Sequence, residues 1–283
     1  VGATQGRLLG AFLQFLNPET PEMHATPFLR LALAFLLSAC GALAFAQPQK
    51  APAVYAPSVG QAGKDVVWVP TSQALVDKML DMAKVTPRDF VIDLGSGDGR
   101  TVITAAKRGT RALGIEYNPD MVALSQLNAG KAGVSERAAF MKADLFETDF
   151  SKATVITMFL LPDINLKLRP QILRLKPGTR VVSNTFTMAD WQADETATLG
   201  EETGCSSWCT ALLWIVPDRV AGSYDIPQGK LVLKQEFQML SGTLRTVYGP
   251  VAVEGRVRGE EISFTTGERK YHGRRNGKQL ELR

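Results

Sequence analysis

Histidine is nearly absent from this chain, with two in 283 residues, His24 and His272. Neither lies in the central stretch where strand and helix patterns alternate, so a histidine general base there is excluded. His272 reads as a surface strand residue. No tight cluster of Asp, Glu, Cys and His appears, and no metal is expected. Dense Lys/Arg runs are missing and the net charge is a mild +4, which argues against a nucleic-acid partner. There is no internal repeat and no low-complexity tract. At 45% hydrophobic and 21% charged residues, the chain is neither disordered, collagenous nor coiled. Its length suits one large domain or two smaller ones.

The first residues do not read as part of the fold. A stretch beginning at Met23 carries Arg30, an apolar run from Leu31 to Phe45, and small residues at Ala44 and Ala46. That is the pattern of a secretory signal peptide cleaved after Ala46. "LSAC" at 37–40 also resembles a lipidation box with Cys40 as acceptor, but the apolar run continues past it. The run is short for a lasting transmembrane helix. Export to the periplasm is expected, with inner-membrane anchoring, and hence membrane proximity, as the alternative. Residues 1–46 read as leader and 47–64, rich in Pro, Ala and Gly, as a linker. Beyond the leader, Cys205 and Cys209 remain. In an extended strand their Cα atoms would lie ~13 Å apart, beyond disulfide reach. The turn composition of "TGCSSWCT" permits pairing, so paired and free thiols both stay open.

Residues 65–220 alternate in pattern. A helix follows "VPTS", capped by Thr71 or Ser72, with Leu75, Val76, Met79, Leu80 and Ala83 as its apolar stripe and "TPRD" at 86–89 as its stop. Strands are expected at 90–94, 112–116, 138–143, 153–161 and within 177–186; helices at 100–109, 119–133 and 165–175, the last despite Pro170. Such alternation predicts an α/β, doubly wound, mostly parallel sheet covered on both faces. From about Ala221 short alternating runs are separated by Gly-containing turns, with Asn276-Gly277 the strongest hairpin signal. They predict a small antiparallel β-meander over 221–283, packed on the first domain.

"VIDLGSGDGR" occupies 91–100, between a strand and a helix, where an α/β sheet binds its ligand. A dinucleotide fingerprint would need a third glycine at position 100, and Arg100 stands there. The glycines are Gly95, Gly97 and Gly99, flanking Ser96, with Asp93 and Asp98 beside them. A pyrophosphate there would be repelled by roughly 1–4 kcal/mol per close pair. S-adenosylmethionine carries no phosphate and two positive groups, a sulfonium and an α-ammonium. Asp93 suits the ammonium, and glycines let the backbone approach a ligand closely. Glu116, about 20 residues on, falls where a ribose-hydroxyl acceptor sits. Asp144 could accept from the adenine amino group, with Leu145 or Phe146 against the ring. One acid after a strand is usually just solvated; three in register beside a glycine loop make a cofactor site.

"VIDLGSGDGR…GIEYNP…KADLF" resembles the class I, seven-stranded SAM-dependent methyltransferases. From about Val69 to Trp191, "VPTSQALVDKML", "LPDINLKLRPQILRLKPGTRVVSNTF" and "ADW" look like bacterial relatives of the mitochondrial protein-lysine N-methyltransferases. The resemblance implies a cofactor held by Asp93, Gly95, Gly97 and Glu116, adenine at Asp144, and Thr71 near the methionine end unless Thr71 is a plain helix cap. The meander has no counterpart expected in the mitochondrial relatives.

Methyl transfer from a sulfonium is an in-line displacement, in which the protein mainly positions a neutral nucleophile. "FLLPDIN" at 159–165 stands where amino-directed nucleic-acid enzymes carry Asn/Asp-Pro-Pro-aromatic, and there is no Pro-Cys nucleophile. N-methylation by positioning remains, or O-methylation. Asp163 could draw in a cationic amine, Asn184 could hydrogen-bond it and Trp191 could form a wall; a helix cap and a core tryptophan are the plainer roles of Asp163 and Trp191. The expected acceptor is a protein lysine. A small-molecule acceptor and a non-catalytic envelope binding protein are the alternatives. An open acidic cleft would favour the lysine and a closed apolar pocket the small molecule. An export signal conflicts with a charged cofactor made in the cytoplasm.

Overall fold

The computed structural model describes residues 55–283. The signal peptide and its lipidation alternative lie outside the described residues. Among those described, no helix is long and apolar enough to cross a membrane.

The first helix, α1 (Gln73–Met82), is capped by Ser72, whose Oγ accepts the Leu75 N–H. It stops earlier than the "TPRD" signal, at Ala83, because Lys84 takes a left-handed φ of 48°. There follow β1 (Phe90–Leu94), α2 (Arg100–Lys107), β2 (Arg111–Glu116), α3 (Pro119–Lys131) and β3 (Ala138–Lys142). Next come β4 (Val155–Met158), α4 (Pro162–Ile172), β5 (Arg180–Asn184), β6 (Glu195–Thr198) and β7 (Thr210–Ile215). Strand β4 is shorter than the apolar run suggested; Phe159–Leu161 leave the sheet and lead straight into α4, which begins at Pro162. Proline suits a helix start, since its missing N–H would be unpaired anyway. Pro170 sits in the last turn of the same helix.

The sheet order is β3-β2-β1-β4-β5-β7-β6. Strands β1 to β5 pair in parallel, and β7 runs antiparallel to both β5 and β6. This is the expected doubly wound sheet. Two buried clusters pack on it, one holding α1, α2 and α3 residues such as Leu75, Val102 and Val122, the other holding α4 residues such as Ile164 and Leu168. The chain order reverses between β1 and β4, which opens a crevice at their C-terminal ends.

The second sheet is a meander of β8 (Gly222–Ile226), β9 (Gly229–Glu236), β10 (Met239–Thr246), β11 (Gly249–Arg258), β12 (Glu261–Thr266), β13 (Arg269–Asn276) and β14 (Gln279–Leu282). Every neighbour pair is antiparallel and joined by a two-residue turn. In the Asn276-Gly277 hairpin the glycine takes the first loop position, at φ 59°. The inward residues Leu231, Leu233, Leu240, Leu244, Val253, Phe264 and Tyr271 form a core of their own. The turn Phe237-Gln238 docks this sheet on the first. Phe237 stacks on Trp191 with centroids 5.9 Å apart, and Gln238 Nε2 donates to the Gln192 carbonyl at 2.8 Å. Asp194, its side chain fully buried, pairs with Arg256 and accepts the Ile215 N–H.

Candidate active site

Three left-handed glycines build the turn between β1 and α2, at φ 77° (Gly95), 53° (Gly97) and 82° (Gly99). The Gly95 and Ser96 N–H groups both donate to the Ile115 carbonyl of β2. The turn is packed on its outer side as well. A Cβ at Gly97 would meet Trp68 Nε1 at 2.6 Å, and one at Gly99 would meet the Phe140 ring at 2.8 Å. Ser96 Oγ is buried without a partner, tucked against Gly114 of β2.

Two carboxylates meet this loop. Asp93 is buried at the end of β1 and accepts the Thr157 hydroxyl at 2.6 Å. Burial, reinforced by the Glu116 and Asp98 charges, pushes its carboxyl up to about 7 against the pull of Thr157 and Thr101. Glu116 ends β2; its Oε2 accepts the Gly97 N–H and its Oε1 the Asn118 N–H, each at 2.9 Å. It therefore ties the glycine loop to the turn after β2, a role its position in the sequence does not disclose. Asp98 differs from the sequence reading. Arg100 grips it in two-pronged fashion and also donates to the Thr71 carbonyl at 2.8 Å. The loop's own charge is thus neutralised, leaving Asp93 and Glu116 to face a cation.

An arm over residues 61–71 completes this half. Gly60 and Trp68 are hydrogen-bonded across a small turn, with Ala62 bridged to Val67. Residues 61–64, expected to be linker, line the cleft together with Trp68. Lys64 pairs with Asp144 and lies 4.9 Å from the Tyr117 ring centroid. The Lys64 bond, helped by the Phe146 N–H, holds the Asp144 carboxyl below its ordinary value. An adenine amino group would share that carboxylate with Lys64 or displace it. Leu145 lines the same wall.

Across the chain reversal the lining is apolar: Phe159, Leu160, Leu161, Ile164, Phe186 and Trp208. Phe159 follows β4 and stacks on Phe186, which follows β5, with centroids 5.8 Å apart. Phe186 is held by its carbonyl, which accepts from Asn165 Nδ2 at 3.2 Å and Ser183 Oγ at 2.8 Å. Trp208, in the loop before β7, lies 6.1 Å from Phe159. Sequence reading missed Trp68, Asn165, Phe186 and Trp208. The one usable signal was Asn165, a polar residue on the buried face marked by Ile164, Leu168 and Ile172.

The anticipated acceptor residues sit elsewhere. Asp163 is exposed on the first turn of α4, outside the lining between Leu161 and Ile164. It does not cap the helix, since Leu161 holds that position. Asn184 is buried, with Nδ2 donating to Thr71 Oγ1 at 3.2 Å and Oδ1 accepting the Thr185 hydroxyl at 2.9 Å. Both ends of its amide are used, so it anchors the start of α1 to β5. Thr71 itself lines the cleft. Trp191 is fully buried at the contact with the second sheet, against Trp214 and Phe237, and does not line the cleft. The acceptor half is apolar but open, with Trp208 45% and Leu161 44% exposed. It matches neither the acidic cleft nor the closed pocket foreseen.

The chemistry of the donors fits S-adenosylmethionine. Asp93 is a buried carboxylate without a cationic partner, and Gly95, Ser96 and Gly97 bring the backbone of the turn to the cleft wall beside it. With the sheet order, these features define a class I SAM-dependent methyltransferase. Residues 93–195 match the family described as the ANTKMT methyltransferase domain. A protein-lysine N-methyltransferase of Saccharolobus islandicus is 47% identical over 133 residues, 46% of this chain and 83% of that protein. The adenine nucleotide translocase lysine N-methyltransferase of Mus musculus is 36% identical over 140 residues, 49% of this chain and 60% of its own length. Among solved structures, an RNA methyltransferase from Salinibacter ruber, bound to S-adenosyl-L-homocysteine, is similar at 45% identity. Its TM-score is 0.50, with 54% of this chain and 96% of that one covered. The chain belongs to this family of SAM-dependent methyltransferases, and S-adenosylmethionine is its cofactor.

Proposed function

We propose that this enzyme methylates the side-chain amine of a protein lysine. The observation that carries the reading is the acceptor half of the cleft, where Phe159, Phe186 and Trp208 gather with no carboxylate among them. Aromatic faces attract an ammonium by their quadrupole, and their apolar surroundings favour its neutral form. The lysine-directed activity of the Saccharolobus relative supports the same acceptor.

Bound S-adenosylmethionine supplies an electrophilic methyl on a sulfonium. Asp93 would hold the α-ammonium, the Gly95–Gly99 turn would follow the backbone of the ligand, and Glu116 would accept from the ribose. Asp144 and Leu145 would flank the adenine. On the acceptor side the amine lone pair forms the N–C bond as the C–S bond breaks, and the nitrogen then sheds a proton to water. The aromatic walls would flank the amine and hold it in line with the methyl, while the open mouth of the cleft admits the water that takes the proton. No histidine is needed.

The Salinibacter protein's name makes RNA the competing acceptor. Tritiated S-adenosylmethionine, incubated with protein fractions and with total RNA, separates these. Label resistant to nuclease, lost to protease and found as methyllysine by mass spectrometry supports the lysine. Label in RNA, or in the small-molecule filtrate alone, overturns it. We further propose export, supported by the Cys205–Cys209 disulfide, which suits an oxidising compartment. Cell fractionation that finds the chain in the cytoplasm with free thiols would refute it.

A further inference from the structure

The loop from Cys205 to Cys209 carries Trp208 to the cleft. It leads into β7, which pairs antiparallel with β5, so it stands at the end of the sheet where Phe159 and Phe186 emerge. The two cysteines are disulfide-bonded, with Cα atoms 5.8 Å apart, and Cys205 is buried. The link closes a turn in which Trp208 adopts φ 49°, a left-handed conformation unusual for a bulky residue. Such strain persists where the surroundings impose it. Trp208 has no place in any of the three buried clusters. Its contact is with the Phe159 ring, at 6.1 Å and tilted by 59°. A large, half-exposed aromatic that serves no core and is held in a strained pose over a cleft calls for a ligand-facing role.

The distribution of charge says what that ligand is. The acids Asp93, Asp98, Glu116 and Asp144 line the cofactor half, and Asp65 lies on the arm. The acceptor half has none, so attraction of a cation there falls to ring faces. We propose that Trp208, pinned by the Cys205–Cys209 disulfide, is the specificity-determining wall that selects a cationic amine over a neutral acceptor of the same shape. This deepens the lysine reading and rests on it only for the class of acceptor. The disulfide acts through Trp208 and is a positioning device.

The test uses protein loaded with S-adenosylhomocysteine, with the Trp208 indole N–H resonance assigned by its loss in Trp208→Phe. The probes are n-butylammonium, which copies the lysine side chain, and n-butanol, its neutral counterpart. The expected result is a saturable shift of the indole resonance by n-butylammonium, at least fivefold tighter than by n-butanol. The Cys205→Ser/Cys209→Ser variant should bind n-butylammonium at least threefold more weakly, with S-adenosylhomocysteine affinity within twofold of the parent. With poly-L-lysine as acceptor, Trp208→Ala should raise KM at least fivefold with kcat changed less than twofold, and Trp208→Tyr should restore most of the loss. Equal response to the two probes, or an unchanged ammonium affinity without the disulfide, would overturn the proposal. Should the double serine variant fail to fold, the Trp208 substitutions, at an exposed site, still decide it. Methylation of poly-L-lysine indifferent to Trp208 sinks this inference and spares the lysine reading. Selection of n-butylammonium by Trp208, without label in any protein, sinks the lysine reading and supports a small cationic amine as acceptor.

Discussion

At the scale of residues, Asp93 is a carboxylate that the fold buries against its own charge. Its carboxyl is pushed up to about 7, from an ordinary 3.8, chiefly because it is buried. The folded chain therefore holds a proton there that the unfolded chain would release. The Asp93 contribution to the stability of the cofactor-free protein is full below pH 3.8 and is lost as the pH rises through about 7. Asp93→Asn should raise stability at pH 8 by about 1–4 kcal/mol, measured by denaturant unfolding without cofactor. The same change should abolish S-adenosylmethionine binding by calorimetry. In the parent, a cation prefers the ionised carboxylate, so affinity should fall up to tenfold per pH unit below about 7 and level off above it. Gly97 makes a second test. At φ 53°, with Trp68 Nε1 2.6 Å from where an added methyl would stand, Gly97→Ala must move the arm. It should cost roughly 1–2 kcal/mol in backbone strain and weaken cofactor binding at least tenfold by calorimetry.

At the scale of elements, four of the six two-residue hairpins share one device. Gly259, Gly267 and Gly277 each take the first loop position at positive φ, where glycine is free of strain. Phe237 takes the same position, at φ 51°, in the β9–β10 hairpin. Its ring is kept there by the stack on Trp191 and by Arg169, 5.2 Å from its centroid. Phe237→Ala keeps the strain and loses the ring, at an expected cost of about 2–4 kcal/mol. Phe237→Gly loses the ring but relieves the strain, so it should be the more stable variant by about 1 kcal/mol. Urea unfolding of the pair measures the difference, and the opposite ranking would remove the strain argument. The elements themselves were legible because their signals are local: glycine after α3, proline at its start, alternation along β9 to β13. The early stop of α1 at Ala83 was not, since it depends on Lys84 turning left-handed.

At the scale of the whole molecule, the second sheet has its own core but its Phe237 turn completes that of the catalytic domain. Phe237 covers Trp191, whose other neighbour is Trp214, and Arg256 meets the buried Asp194 side chain. Removing residues 221–283 would take Arg256 from the buried Asp194 side chain and uncover Trp191. A fragment of residues 55–220 should therefore aggregate, or unfold at markedly lower denaturant than the whole chain, by size exclusion and fluorescence. A monomeric, cofactor-binding fragment would show instead that the sheet is an independent appendage. The cofactor half of the cleft is near in sequence, since its residues follow consecutive strands β1, β2 and β3. The acceptor half is assembled from the ends of β4 and β5 and the loop before β7.

That difference separates what the sequence by itself determined from what the tertiary structure decided. Periodicity and glycine spacing determined the parallel sheet, the meander and the turn at 95–99, because each rests on the conformational limits of a few neighbouring residues. The positions of Asp93, Glu116 and Asp144 followed, because parallel strands deliver the residues that end or closely follow them to the same edge. Pairing of Asp98 with Arg100, of Asp144 with Lys64, and of Cys205 with Cys209 was decided by geometry that composition leaves open. So were the places of two tryptophans. Trp191 lies beneath a hairpin far along the chain, while Trp208 stands over the cleft. Both are aromatic residues in polar surroundings of sequence. Which one is core and which one is wall depends on what the folded chain brings alongside, and burial belongs to the assembled structure rather than to the residue.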